Sequence, residues 1–166
     1  EALKSMTVNG RPVSELIVDQ SGITGEKMEL GFYEFVSAPS TIFYIHPGNK
    51  LATIVGFNMP VEYQVARDVA MQVAAMNPIA VGRDDVPAEV VTKELEIAKE
   101  KAREEGKKEE MLDKIAQGRI NKFFQEATLL EQAFVKEPKE SIQQYLKSQN
   151  KDLTVTAFKR VTLNAE

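Results

Sequence analysis

The strongest constraint on how this chain folds lies in residues 108–135, KEEMLDKIAQGRINKFFQEATLLEQAFV. Leu112, Ile115, Arg119, Phe123, Ala127, Leu130 and Phe134 recur three or four residues apart, so they share one stripe of a 3.6-residue repeat. The spacing predicts one long helix over the whole stretch. Residues 87–105 carry a second stripe, Val91, Leu95, Ala98 and Ala102. Gly106 stands between them, suited to the left-handed position that ends a helix. Two such helices bury their stripes most simply against each other, as an antiparallel hairpin. A helix of about 19 residues is roughly 28 Å long at 1.5 Å per residue, a large projecting arm for a small protein.

Between Lys93 and Lys114 the hairpin carries seven positive and eight negative side chains, a mixture that reads as a solvated exterior. Glu110–Lys114, Glu96–Lys99 and Glu100–Arg103 have the spacing of supportive helical pairs. Arg119 lies inside the apolar stripe, where its stem can be covered while its head stays wet or meets an acid.

The remainder reads as a small sheet with helices. Asn9-Gly10 is a turn, and Pro12 to about Gln20 a short helix ended by Gly22 and Gly25. Residues 26–37 alternate imperfectly and predict a strand. Residues 41–46 and 50–58 predict a hairpin closed by Pro47-Gly48-Asn49, with Gly56 marking a bulge or a close approach. Residues 61–76 are the cleanest amphipathic helix. Val61, Val65, Val69, Val73 and Met76 cluster with Ala66 and Ala70, while Glu62, Gln64, Arg67 and Asp68 lie mostly off that face. Asn77-Pro78 stops it. A connector follows over 79–86, with Asp85 placed to cap the next helix. After a break at Pro138, residues 139–148 predict a helix with Ile142, Tyr145 and Leu146 inward. Residues 153–163 predict a last strand, irregular at Phe158.

The fold class is therefore α+β: a three- to four-stranded antiparallel sheet with helices on one face and an inserted antiparallel helical hairpin. The organisation expected is a core over 1–86, the arm over 87–135, and a helix and strand over 136–166 that complete the core.

Chemistry is harder to find. His46 is the only histidine, and metal sites need several convergent ligands, so it reads as a hydrogen-bonding residue at a strand end. Asp84-Asp85 reads as a helix start. There is no G-x-S-x-G, no G-x-x-x-x-G-K-[ST] and no G-x-G-x-x-G. The chain is read as a non-enzyme without a cofactor or metal. A net charge of −4 argues against a dedicated nucleic-acid binder. Its lack of cysteine fits a cytoplasmic protein, and no apolar run is long enough to span a membrane. The chain starts EALKSM without an initiating Met, which suggests a piece of a longer protein. The candidate partner-binding residues are Met71, Gln72, Ala75, Met76, Asn77 and Pro78, together with His46. The helix ending at Met76 places Met71 and Ala75 on its polar side, so its last turns are apolar nearly all round, and methionine suits an adaptable interface. The competing reading is that another segment of the domain folds over that face.

Several collinear segments carry a resemblance. ITGEKMEL (23–30), YIHPGNKLATIV (44–55), DVAMQVAAMNPIAVGRDDVPAEVVTKE (68–94), KIAQGRINKFFQEATLLEQAFVKEP (114–138) and the closing TAFKRVTL resemble bacterial elongation factor Ts, in order and over nearly the whole chain. That resemblance implies a guanine-nucleotide exchange factor that binds elongation factor Tu in its GDP form and promotes GDP release. It implies no bond-making step; direct nucleic-acid and membrane partners are not expected, on the charge and the lack of a long apolar run noted above. It also implies that the hairpin is the family's coiled-coil arm. The family's T-D-F motif, whose Asp and Phe disturb the GTPase's magnesium site, is absent from this sequence, as is the small N-terminal domain before it. The expectation is a docking fragment without the wedge. The alternative is a dimerisation module that pairs as a homodimer without exchange activity of its own. Gln72 stands where some relatives carry His, and Asn49 where Gly or Ala is usual.

Overall fold

The computed structural model describes residues 1–164, and the chain divides into two compact units, Glu1–Glu34 and Phe35–Glu166. The first unit holds helix α1 (Ala2–Ser5), a ribbon of β1 (Thr7–Val8) and β2 (Arg11–Pro12), and helix α2 (Val13–Thr24). Asn9 and Gly10 form its turn, both with positive φ. Helix α2 runs through Gly22 and ends at Gly25, whose φ of +73° needs a residue without Cβ. No residue of this unit is fully buried.

The strand expected over 26–37 does not form. Met28, Phe32, Tyr33 and Phe35 have a strand-like composition and stay exposed. A strand exists only with a ladder partner, and no described strand pairs with these residues.

The second unit is built on an antiparallel sheet of β3 (Ser40–Ile45), β4 (Leu51–Phe57) and β7 (Val155–Thr162), with β4 central. The 46–51 turn places Gly48 and Asn49 at positive φ, so Asn49 suits its position because asparagine tolerates left-handed backbone. Register shifts beside Gly56: Gly56 faces Ala157 and Phe57 faces Val155, leaving Thr156 as the extra residue of a bulge. A Cβ on Gly56 would sit 2.7 Å from Val36 Cγ1 and 2.8 Å from the Ala38 Cβ, so the glycine serves a close approach as well.

Helix α3 (Tyr63–Met76) packs on the inner face of this sheet. Its Val65, Ala66, Val69, Ala70 and Val73 meet Val55 and Phe57 of β4, and Leu129, Phe134, Ile142, Leu146 and Leu153 complete the core. The Glu62 carboxylate caps its start by accepting from the Val65 N–H at 3.0 Å. Asp68, expected off the apolar face, is buried instead. Asp85 does not cap the arm either: its carboxylate accepts from the Gly82 N–H at 3.0 Å and closes a 3-10 turn, Arg83–Asp85.

The arm consists of α4 (Ala88–Glu104) and α5 (Leu112–Ala127), which pack side by side. Gly106 has a φ of +74° between them. The buried seam is Ala98 and Ala102, as the first stripe predicts, against Leu112, Ala116 and Ile120, so α5 keeps Leu112 of its predicted stripe and then buries the residues one position after Ile115 and Arg119. Ile115, Arg119 and Phe123 flank it half-buried. Arg119 reaches Glu105 at 2.7 Å. Among the expected charge pairs, Glu100–Arg103 forms at 3.0 Å, while Lys99 crosses to Asp113 at 2.6 Å.

The single long helix over 108–135 is corrected. Residues 109–111 are a 3-10 turn, and α5 stops at Ala127. Beyond it the Leu129 and Leu130 N–H groups donate to the Ala80 and Val81 carbonyls at 2.9 and 3.0 Å, so the connector 79–86 takes the donors that a helix would have used. The chain then forms a ribbon of β5 (Ala133–Phe134) and β6 (Glu137–Ser141). Helix α6 (Ile142–Gln149) starts later than predicted, where Ser141 and Gln144 form a reciprocal capping box.

Candidate docking surface at the end of helix α3

The last turns of α3 divide into an open side and a covered side. Ala75, Met76 and Asn77 are exposed, Met76 at 44%, and Ile79 beyond them at 50%. Met71 is half-buried. Gln72 and Pro78, expected on the same surface, are buried, which corrects their placement. For Gln72 the reason is the β5–β6 ribbon folding over it. Its Nε2 donates to Gln132 Oε1 at 3.2 Å and to the Ala133 carbonyl at 3.1 Å, and its Oε1 accepts from the Val135 N–H at 3.0 Å. Both N–H donors of this side chain are therefore used, and its oxygen holds the ribbon backbone. Asn77 ends the helix at a φ of +44°.

His46 is exposed at the turn that joins β3 to β4. Its Nδ1 lies 3.0 Å from Tyr44 Oη, and its backbone closes the 46–51 turn. These contacts tie it to its own hairpin and not to α3.

Sequence reasoning missed a second polar cluster beside this face. Asp68, 7% exposed at its side chain, accepts from Lys136 Nζ at 2.5 Å, Gln64 Nε2 at 2.7 Å and Tyr145 Oη at 3.1 Å. Burial pushes the Tyr145 phenol up to about 12, and its bond to the Asp68 carboxylate adds to the effect. The Tyr145 ring stacks on Phe134 at 4.4 Å between centroids. Three elements are thus fastened together: α3, the Val135–Lys136 turn and α6. Only Gln64, four residues before Asp68, is a neighbour visible in sequence.

At the root of the arm, Arg83 makes a two-pronged contact with Glu131 at 2.5 and 2.6 Å, donates to Asn121 at 3.0 Å and lies 5.0 Å over the Phe124 ring. The Glu131 carboxylate holds the guanidinium pKa above its ordinary value. An open cleft of about 570 Å³ lies nearby, lined by Met76, Glu126, Glu131, Gln132, Pro138 and Gln143 among others.

Among the described residues no group of three or more His, Asp or Glu side chains is placed to hold a metal ion, and no helix is long and apolar enough to cross a membrane. The described side chains leave no buried nitrogen or oxygen without a partner.

These features define an α+β fold with an inserted helical arm. A family profile described as "Elongation factor TS" matches residues 1–165, and the chain belongs to that family. It is 56% identical over 167 residues to a protein named Elongation factor Ts from Azobacteroides pseudotrichonymphae, covering 100% of this chain and 61% of that protein. Similarity to the Porphyromonas gingivalis protein of the same name is 54% over 166 residues, again covering 100% of this chain and 61% of the relative. To that of Christiangramia forsetii it is 44% over 156 residues, with 93% and 57% covered. The chain thus spans about three-fifths of the length of these relatives.

Proposed function

We propose that this chain belongs to a guanine-nucleotide exchange factor of translation elongation, and that it docks on elongation factor Tu in its GDP form. Family membership supports the partner, and the exposed end of α3 supports the place. The observation that carries the reading is the contrast within the last turns of α3. Gln72 is sealed beneath the β5–β6 ribbon, while Ala75, Met76 and Asn77 next to it stay open and carry no charge. A flexible thioether on a braced backbone is a good docking element. The factor binds the nucleotide-free GTPase more tightly than the nucleotide-bound form, and by linkage nucleotide then binds the complex more weakly. No covalent step is involved, and the setting is the cytoplasm, where translation runs. With no T-D-F run in this sequence, the chain supplies docking, not displacement of magnesium.

The test is release of mant-GDP from elongation factor Tu together with direct binding. The chain should bind with only slight acceleration of release. Met76→Glu should weaken binding about tenfold or more and leave Tm within a degree or two. Full acceleration of release by this chain would remove the division of labour, and unaltered binding by Met76→Glu would remove the site.

A second reading, self-association, is favoured by the outer face of the sheet. Phe43 and Ile45 are 69% and 52% exposed, and they flank Ile54 and Ala52 in register. Sedimentation at micromolar concentration decides it: the self-associating chain should become monomeric on Phe43→Lys, and a concentration-independent monomer from the start would end this reading.

A further inference from the structure

Gln132 lies between α5 and β5 and is 1% exposed. Its Nε2 donates to two backbone carbonyls, Glu126 in the last turn of α5 at 3.0 Å and Met76 at the end of α3 at 3.4 Å. Its Oε1 accepts from Gln72 Nε2 at 3.2 Å. The last carbonyls of a helix have no intrahelical donor, and they must find one elsewhere when buried. Here a single amide supplies a donor to the ends of two helices and takes a third contact from within one of them. An amide has two N–H donors, and both are committed.

We propose that Gln132 is a positioning residue for partner docking, which couples the returning helix of the arm to the exposed end of α3. The inference rests on the docking reading above. Met76 is the residue whose exposed side chain meets the partner, and its own carbonyl is the group that Gln132 holds. The same amide fixes α5 through Glu126, so the orientation of the arm and the placement of Met76 are set by one side chain. An apolar side chain of equal volume fills the space but leaves the Met76 carbonyl, the Glu126 carbonyl and one Gln72 N–H without partners. The two helix ends are then free to move apart.

The variant is Gln132→Met, near-isosteric and without the donors. Three quantities are measured on the whole chain: the Kd for nucleotide-free elongation factor Tu, the ¹³C-methyl resonance of Met76 in methionine-labelled protein, and Tm. The expected result is a roughly tenfold rise in Kd, equal to about 1.4 kcal/mol, with the Met76 methyl signal shifted or broadened in the free chain. Gln125→Ala, an exposed glutamine on the same helix end, should change none of the three. A lower Tm with unchanged Kd and an unmoved Met76 methyl overturns the inference, because a merely structural amide behaves that way. Should Gln132→Met fail to fold, the unaltered chain still decides. Its Gln132 side-chain N–H signals should exchange slowly with solvent and shift when the GTPase binds, and fast exchange with no shift overturns the proposal. Failure of the unaltered chain to bind removes the docking reading and this inference with it. Equal binding by the unaltered chain and Gln132→Met removes the inference alone.

Discussion

Lys136 Nζ lies 2.5 Å from Asp68 Oδ1, joining a half-exposed lysine at a ribbon turn to a carboxylate buried on the core helix. Removing the lysine strands the carboxylate with only neutral donors, Gln64 and Tyr145. A fully buried pair broken in this way loses several kcal/mol, but the lysine head is open to solvent, so the loss is smaller. Lys136→Met should cost about 1–2 kcal/mol, measured by urea unfolding. The double variant Lys136→Met with Asp68→Asn should cost less than the sum of the singles, and strict additivity would show that the two groups are not coupled.

Tyr145 gives a pH signature. Its raised pKa means that the folded chain holds the phenol proton at a pH where the unfolded chain has released it. The contribution to stability is complete below about pH 10, the ordinary tyrosine value, and is lost as pH rises from 10 towards 12. Urea midpoints between pH 9 and 12 should fall more steeply for the unaltered chain than for Tyr145→Phe. Parallel curves would mean that the phenol is no more buried than an ordinary surface tyrosine.

Two glycines should respond in opposite directions to alanine. Gly56→Ala drives a methyl group against Val36 and Ala38 and should destabilise by about 1–3 kcal/mol. Gly118 lies inside α5 with nothing within 4 Å of a new Cβ, so Gly118→Ala should stabilise by about 0.5–1 kcal/mol. Thermal unfolding of the two variants side by side checks both signs.

Arg83→Lys keeps the charge and loses the fork and the flat face that lie against Glu131 and Phe124. Both partners are partly solvated, so the expected loss is only about 1 kcal/mol. Hydrogen exchange should locate it, with faster exchange at the Leu129 and Leu130 amides and little change at the arm's tip. Faster exchange over the whole of α5 would place the clamp's effect elsewhere.

Local chemistry made much of this fold readable. The turns at Asn9-Gly10, Gly106 and Asn77 stand where residues tolerant of positive φ were found, and the α3 stripe of Val65, Val69 and Val73 is buried as its period requires. The errors came from distant partners. Leu130 and Phe134 continue the helical spacing of α5, yet the Ala80 and Val81 carbonyls capture the backbone and redirect it. Met28, Phe32 and Phe35 look like a strand, but a strand is a property of two segments. The apolar end of α3 was visible, and the burial of Gln72 within it was not, because its covering ribbon begins about sixty residues later in sequence. Asp68 was placed outside for the same reason, since Lys136 and Tyr145 come from the far side of the arm.

The inserted arm also bears on how quickly the sheet can be assembled. Strands β4 and β7 must find each other across nearly the whole second unit, and non-local pairings of this kind slow folding. The arm's own contacts are between helices adjacent in sequence, and its two ends meet where Ala80 bridges Thr128. Once α4 and α5 have zipped together, the span between those residues contributes almost nothing to the loop that β4–β7 pairing must close. Each halving of a loop saves about 0.6 kcal/mol in closure entropy. The appendage that looks like an interruption therefore acts as a splint: it shortens the search that its own insertion lengthened.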